Sequence, residues 1–563
     1  MTRLVRLLGA APALVVMAAP VIALAVASIL AIEPPDGPRA TIVHWGLTLS
    51  DPFARDCLVN SVGLAVVVVS LASAVGVAIG RISWGRRGWR GAILLTSIRL
   101  GAACHPLVMA IAWLVLVDRV DPSARGFPEA GQWLDAPQGR WLLLGLAQFG
   151  FASSWVAWWT GRALERVGPD CVRVAALSGA SRRWIWRTAL WPLVRPTVAR
   201  ASASVFAVLV IEPGGPLVLG LRRSIGAQVV TSLWMTSRGD LARAAILGVL
   251  AMVVSLLVRV ALRRWGGPDH LAGMVPTSSS DAPMGAVAPP GRFRSAVAAL
   301  GVLCWAAVAL GPALFLVVAS VPSLAIRGEG AGLAEAAWRG LAPMLGASLA
   351  VGGASALVAM VVAWPLSAVP RAGSAVRVLD AVPPLAIGVG LFCLWKVSGA
   401  WSGADPMAGA MSRVGRLVDP YATPWLLVSW GTALVHLPWA VSAARSARGI
   451  DARALRDEAR VAGRRVAFSR TLLFLPIASR RCAAPALGVA LLAASGLSPA
   501  LVLTPLEPFR PMAAWVLRDA MGAPGSGPGP GPGVLAALVS PMLGLLLLLR
   551  RGQAPDSPTV LRG

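Results

Sequence analysis

Apolar stretches of about twenty residues recur along the whole chain, and that is the length a helix needs to cross the hydrocarbon core of a bilayer. They fall at 12–31, 57–80, 92–117, 139–160, 197–220 and 242–262, and again at 295–321, 342–369, 376–399, 422–444, 480–504 and 532–550. Inside lipid a segment must satisfy its own backbone hydrogen bonds, so such runs are read as helices. The expectation is an all-α polytopic membrane protein of about twelve transmembrane helices in two sets of six. A mean hydropathy of +0.71 with 13% charged residues excludes an ordinary soluble chain.

The charge agrees with this reading. A net charge of +26 could suggest nucleic acid, but of the 51 basic residues only Lys396 is a lysine, and the arginines are scattered between apolar runs instead of gathered on one face. Positive-inside sorting accounts for them. Arg3 and Arg6 precede the first run, which is long enough for a span and is read as one with its N-terminus inside; residues 32–56, with Pro34, Pro35 and Asp51, are then an external loop. Arg81, Arg86, Arg87 and Arg90 form a basic inner turn. Residues 263–294, rich in Gly, Pro and Ser, read as a cytoplasmic linker between a first domain at 1–262 and a second at 295–563. Both termini come out cytoplasmic, and the Gly- and Pro-rich run at 522–533 lies outside.

One inner stretch occurs twice. The first copy begins Arg173-Val-Ala175, reaches Gly179-Ala180 and ends at Pro192; the second begins Asp457-Glu458-Ala459, reaches Gly463-Arg464 and ends at Pro476. In both, the proline follows the glycine by 13 residues. Alanine and arginine around a lone glycine predict two short helices meeting at a sharp turn, and the proline predicts entry into the next helix, where a missing N–H costs nothing. Each copy follows the fourth run of its half. Each is followed by a run carrying a proline at nearly the same depth, Pro216 and Pro499, so the halves read as homologous.

This stretch resembles the EAA loop of ABC importer permeases, whose pattern is E-A-A, three residues, G, twelve residues, P. The acid position holds Arg173 in the first copy and Asp457 in the second, so the two contacts are expected to be unequal. The whole chain is similar in organisation to fused two-domain permeases of binding-protein-dependent importers, above all the ferric-iron permeases, then those for thiamine and aminoethylphosphonate. Asn60-Ser61 and Asp380-Ala-Val-Pro-Pro also resemble that group. The resemblance implies a type I (MetI-like) importer fold in the cell membrane. It further implies two copies of an ATP-binding subunit docked on the cytoplasmic loops and a solute-binding protein docked outside.

Other chemistry is sparse. No G-x-x-x-x-G-K-[ST] occurs, so ATP would be used by partner subunits and no cofactor is expected on this chain. Six dispersed cysteines and four dispersed histidines give no disulfide framework or metal site, and no catalytic constellation points to an enzyme. Arg99 and Asp380 fall near the inner ends of spans. Glu212-Pro213-Gly214-Gly215-Pro216 combines an acid with helix breakers inside a span. It reads either as a pathway-lining broken helix or as an outer kink with Glu212 in solvent. An ion-coupled twelve-helix carrier remains the other class of function, and it would need a buried titratable relay.

Overall fold

The structure, a computed structural model, describes residues 2–268 apart from 34–36, 85–88, 121–131, 134–135, 168 and 235–237. In the remainder it describes 292–315, 331–367, 379–400, 424–448, 498–503 and a few isolated positions. The first run forms α1 (Thr2–Ile29), which keeps its helix through Pro12 and Pro20. The expected external loop contains structure of its own: strands β1 (Leu30–Glu33) and β2 (Gly37–Ala40) pair antiparallel, and α2 (Val43–Ser50) follows. Helix α3 (Pro52–Ser83) opens on Asp51, whose carboxylate accepts from the Phe53 N–H at 2.9 Å, with Pro52 at a position needing no N–H.

The third expected span, 92–117, is two helices, α4 (Trp89–Ala103) and α5 (Pro106–Val120), bent by 99°. Pro106 disfavours a helical His105, so α4 cannot continue, and the His105 Nδ1 accepts from the Leu107 N–H at 3.3 Å. Helix α6 (Pro137–Val167) packs along α3. A Cβ on Gly76 would sit 2.7 Å from the Ser153 carbonyl oxygen, and one on Gly80 would sit 2.6 Å from that of Ala157. Two small residues four apart let the backbones approach this closely, the usual device where lipid supplies no hydrophobic drive between helices.

Beyond α6 come α7 (Pro169–Leu177), α8 (Arg182–Trp184), a π turn (Ile185–Leu190) and α9 (Trp191–Leu209). Next are α10 (Gly214–Val218), α11 (Ile225–Trp234) and α12 (Arg238–Gly266). The fifth expected span, 197–220, differs at both ends: helical structure begins at residue 182, and α9 stops at Leu209. The Ile185–Val218 stretch is also the most enclosed, 78% of its apolar window being buried against 33% in α3 and α12. Residues 242–262 fall within α12, which runs to Gly266 and stops at Gly267, φ +76°.

The second half contributes α13 (Arg292–Ala309), α14 (Ala331–Ser367), α15 (Pro384–Ala400), α16 (Pro424–Arg448) and α17 (Ser498–Leu503). Its ninth expected span opens at Pro384 instead of 376, because the Pro383-Pro384 pair sets the helix start. Seven described helices are long and apolar enough to cross a membrane, eight if α4 and α5 form one broken span. Apolar side chains such as Val59, Val66 and Leu71 on α3, or Leu349, Leu357 and Val361 on α14, remain exposed, as lipid-facing positions do. The expected span at 532–550 lies outside the described residues, as does most of 480–504.

Two long helix pairs run side by side. Helix α3 lies along α6, and α14 lies along α16. Helices far apart in sequence also pack on one another. Helix α1 packs on α15, where the Pro20 carbonyl leaves no room for a Cβ on Gly390, and the Trp430 Nε1 of α16 donates to the Val16 carbonyl at 3.3 Å. Conversely, α13 packs on α4 and α6, with Trp305 Nε1 donating to Ser153 Oγ at 3.0 Å and Leu310 beside Gly101. Arg259 of α12 donates to the Asp380 carboxylate at 3.2 Å, in a mostly buried pair.

Candidate functional site

The first copy of the repeated stretch is the turn between α7 and α8. Gly179 has φ +79°, a left-handed conformation that glycine adopts without a Cβ penalty. The Ala180 N–H bonds the Ala175 carbonyl at 3.1 Å and the Gly179 N–H bonds that of Ala176 at 3.0 Å. These two bonds define a Schellman stop. Ala175 and Ala180, the positions such a stop brings together, both pack partly buried on the cluster of Val156, Leu164, Val172 and Ile185. Ser181 then caps the next helix, its Oγ accepting from the Trp184 N–H at 3.3 Å.

Pro192 lies in the first turn of α9, where the sequence predicted a helix entry. The helix does not begin there, however. It arrives through the π turn, in which the Trp191 N–H bonds the Trp186 carbonyl five residues back, and that wider turn takes up the proline ring. Trp186 and Trp191 lie beside one another, Trp265 stands against Trp191, and the guanidinium of Arg81 sits 4.4 Å over Trp186. A cluster of tryptophans with arginine partners suits the membrane-water boundary.

The sequence did not disclose what the turn presents outward. Val174, Leu177 and Trp184 are 65%, 88% and 53% exposed, flanking an open Gly179 with no neighbour within 4 Å of its would-be Cβ. Large apolar residues this exposed on a polar turn mark a contact surface. Their signal was a helix too short to bury two faces. Arg173 lies within α7. Asp457, Glu458, Ala459, Gly463, Arg464 and Pro476, the second copy, lie outside the described residues.

Glu212 occupies a true break in the helix. Helix α9 stops at Leu209, and the carboxylate turns onto the start of α10, accepting from the Gly214 N–H at 2.8 Å and the Gly215 N–H at 3.0 Å. At 2% exposure Glu212 is buried, which overturns the reading of a solvated outer kink. Gly226 of α11 lies directly against the Ile211 and Glu212 carbonyls, where a Cβ would be 2.5 Å from the latter's oxygen. The chain leaves α10 by a second Schellman stop at Gly220, φ +68°, whose Leu219 carbonyl accepts from Arg140 at 3.3 Å. Asn60 and Ser61 of α3 hold the following turn: Asn60 Nδ2 donates to the Arg223 carbonyl at 3.3 Å, and Ser61 Oγ accepts from the Ile225 N–H at 2.9 Å. Among the described residues no group of His, Cys, Asp and Glu could hold a metal ion.

Residues 72–269 match the family model described as binding-protein-dependent transport system inner membrane component. No curated protein and no solved structure matches the chain. The matched segment runs from the middle of α3 past the end of α12 and contains both the α7–α8 turn and the Glu212 break. With several membrane-length helices, it supports a multi-pass transport component of the importer-permease kind.

Proposed function

We propose that the chain is the fused transmembrane permease of an ATP-driven, binding-protein-dependent importer, six helices to each half. The observation that carries this reading is the α7–α8 turn: an exposed Schellman stop with Leu177 outermost, inside the segment that matches the family. In this reading the turn docks on one copy of a cytoplasmic ATP-binding subunit and the Asp457–Pro476 copy docks on another. Arg173, Ala175, Gly179, Ala180 and Pro192 shape the first contact; Asp457, Glu458, Ala459, Gly463, Arg464 and Pro476 shape the second. A solute-binding protein delivers substrate outside, both termini are cytoplasmic, and ATP is bound by the partners alone. The like pairing of α3 with α6 and α14 with α16 supports two homologous halves.

Transport then follows from alternating access. Closure of the ATPase dimer draws the two turns together, and the attached helices rock between inward- and outward-facing arrangements. Glu212, Pro213 and Gly214 flank the pathway in this reading. There Glu212 fixes the shape of the break, since its oxygens are engaged by its own backbone. Ferric iron is the proposed substrate, with thiamine and aminoethylphosphonate next.

Proteoliposomes containing the chain and its ATPase, loaded with ATP and supplied with the binding protein, test this. ATP-dependent uptake of ferric iron, insensitive to a protonophore, is expected. Uptake of thiamine or aminoethylphosphonate would move the substrate assignment. Uptake that needs no ATP and collapses with a protonophore would replace the importer with an ion-coupled carrier.

A further inference from the structure

Four tryptophans meet between the halves. Trp155, Trp158 and Trp159 share one face of α6, being three and four residues apart, and Phe151 stacks on Trp155 one turn earlier. Trp439 of α16 fills the cup they form. It lies parallel to Trp155, with centroids 5.9 Å apart and planes at 10°, and stands edge-on to Trp158 at 5.6 Å and Trp159 at 6.2 Å.

The positions of the stacked pair are not arbitrary. Trp155 precedes Gly179 by 24 residues, and Trp439 precedes Gly463 by the same 24. They are therefore equivalent positions of the internal repeat. When equivalent residues of two halves touch each other, the contact lies on the two-fold axis that relates the halves. The reciprocal crossing of α1 onto α15 and α13 onto α4 fits the same axis.

We propose that the Trp155–Trp439 stack is the constriction of the translocation pathway. This rests on the two-half permease reading, in which the pathway runs along that axis. Trp155 lies 12 residues before the inner end of α6, about 18 Å along a helix and near mid-membrane. The rings of the two helices pack on one another, so the cluster acts as a closure. The Trp155 Nε1 is buried with no hydrogen-bond partner, a cost that a closure able to part and meet water recovers. Pro438 immediately precedes Trp439 and removes the bond to the Leu434 carbonyl, so α16 is compliant beside the ring that must withdraw. Each ring sits 24 residues upstream of a coupling turn, on the helix that leads into it.

The test is passive leak, which needs neither substrate nor nucleotide. Purified chain, with whatever ATPase accompanies it, is reconstituted into KCl-loaded liposomes, and K⁺ efflux is followed. Wild type is expected to stay tight. Trp155→Ala with Trp439→Ala should leak at least about tenfold faster, while Trp155→Phe with Trp439→Phe should stay near wild type and Trp186→Ala with Trp191→Ala should not leak. If the Ala pair cannot be purified, Trp439→Leu alone removes the ring from the cup and carries the same expectation. A folded Ala pair, or Leu variant, as tight as wild type overturns the proposal, and so does equal leak from the Trp186/Trp191 control. Loss of ATPase from wild-type preparations would instead undermine the importer reading, while a leak confined to the Trp155/Trp439 variants would leave the constriction standing.

Discussion

At the scale of single residues, conformational demands separate from packing demands. Gly179 has open space around it, so substitution there meets only the backbone penalty of a left-handed residue, about 1–2 kcal/mol. Gly179→Ala should therefore speed hydrogen exchange of the Ala180 amide by about five- to thirty-fold, and Gly179→Asn by less. An unchanged rate in the Ala variant would mean that the stop does not hold in the membrane. Glu212 makes the opposite case, a buried acid whose role is internal. Glu212→Ala strands the N–H groups of Gly214 and Gly215 at about 1–3 kcal/mol each, whereas Glu212→Gln keeps one acceptor oxygen. Thermal unfolding in detergent should rank wild type, Gln and Ala in that order. Gly179 was legible because glycine has few uses within an Ala- and Arg-rich helical stretch. The fate of Glu212 was not, because an acid beside prolines reads the same whether it faces water or its own amides.

At the scale of elements, the sequence marked where helices lie better than where they begin, bend or break. Apolar length located α1, α3, α6 and α12, but the 99° bend at Pro106 and the π turn before Pro192 are invisible to a hydropathy window. Both are proline effects that a length criterion smooths over. The helical stretch leading into α9 was missed because Arg182 to Trp191 mix arginine with tryptophan at the boundary and lower the local apolar score. The close seam of α3 and α6 gives a sharp prediction. Gly80→Ala drives a Cβ into the Ala157 backbone and should cost about 1–3 kcal/mol, while Gly63→Ala, with open space, should be neutral or stabilise by up to about 1 kcal/mol. Equal unfolding midpoints for the two variants would show that the seam is looser than the described geometry.

At the scale of the whole molecule, α1 packs on α15 and α13 packs on α4 and α6, and one exposed turn projects from the matched region. The turn of the first copy was legible from its glycine and from the proline 13 residues later; the second copy, Asp457 to Pro476, lies outside the described residues, so its equivalence rests on spacing alone. The packing of α1 on α15 and of α13 on α4 was not legible, because a lipid-exposed helix carries no record of which neighbour it meets. The central claim is that this chain is the membrane half of an ATP-driven machine, docked through Leu177 and its second-copy counterpart. The most direct measurement is purification of the tagged chain from mild detergent, wild type beside a Leu177→Asp, Gly463→Asp variant, with the co-purifying subunits quantified. The account predicts two ATP-binding subunits per wild-type chain and loss of both from a variant that remains folded. A wild-type chain that brings down no ATPase, or a folded variant that retains both copies, would contradict it.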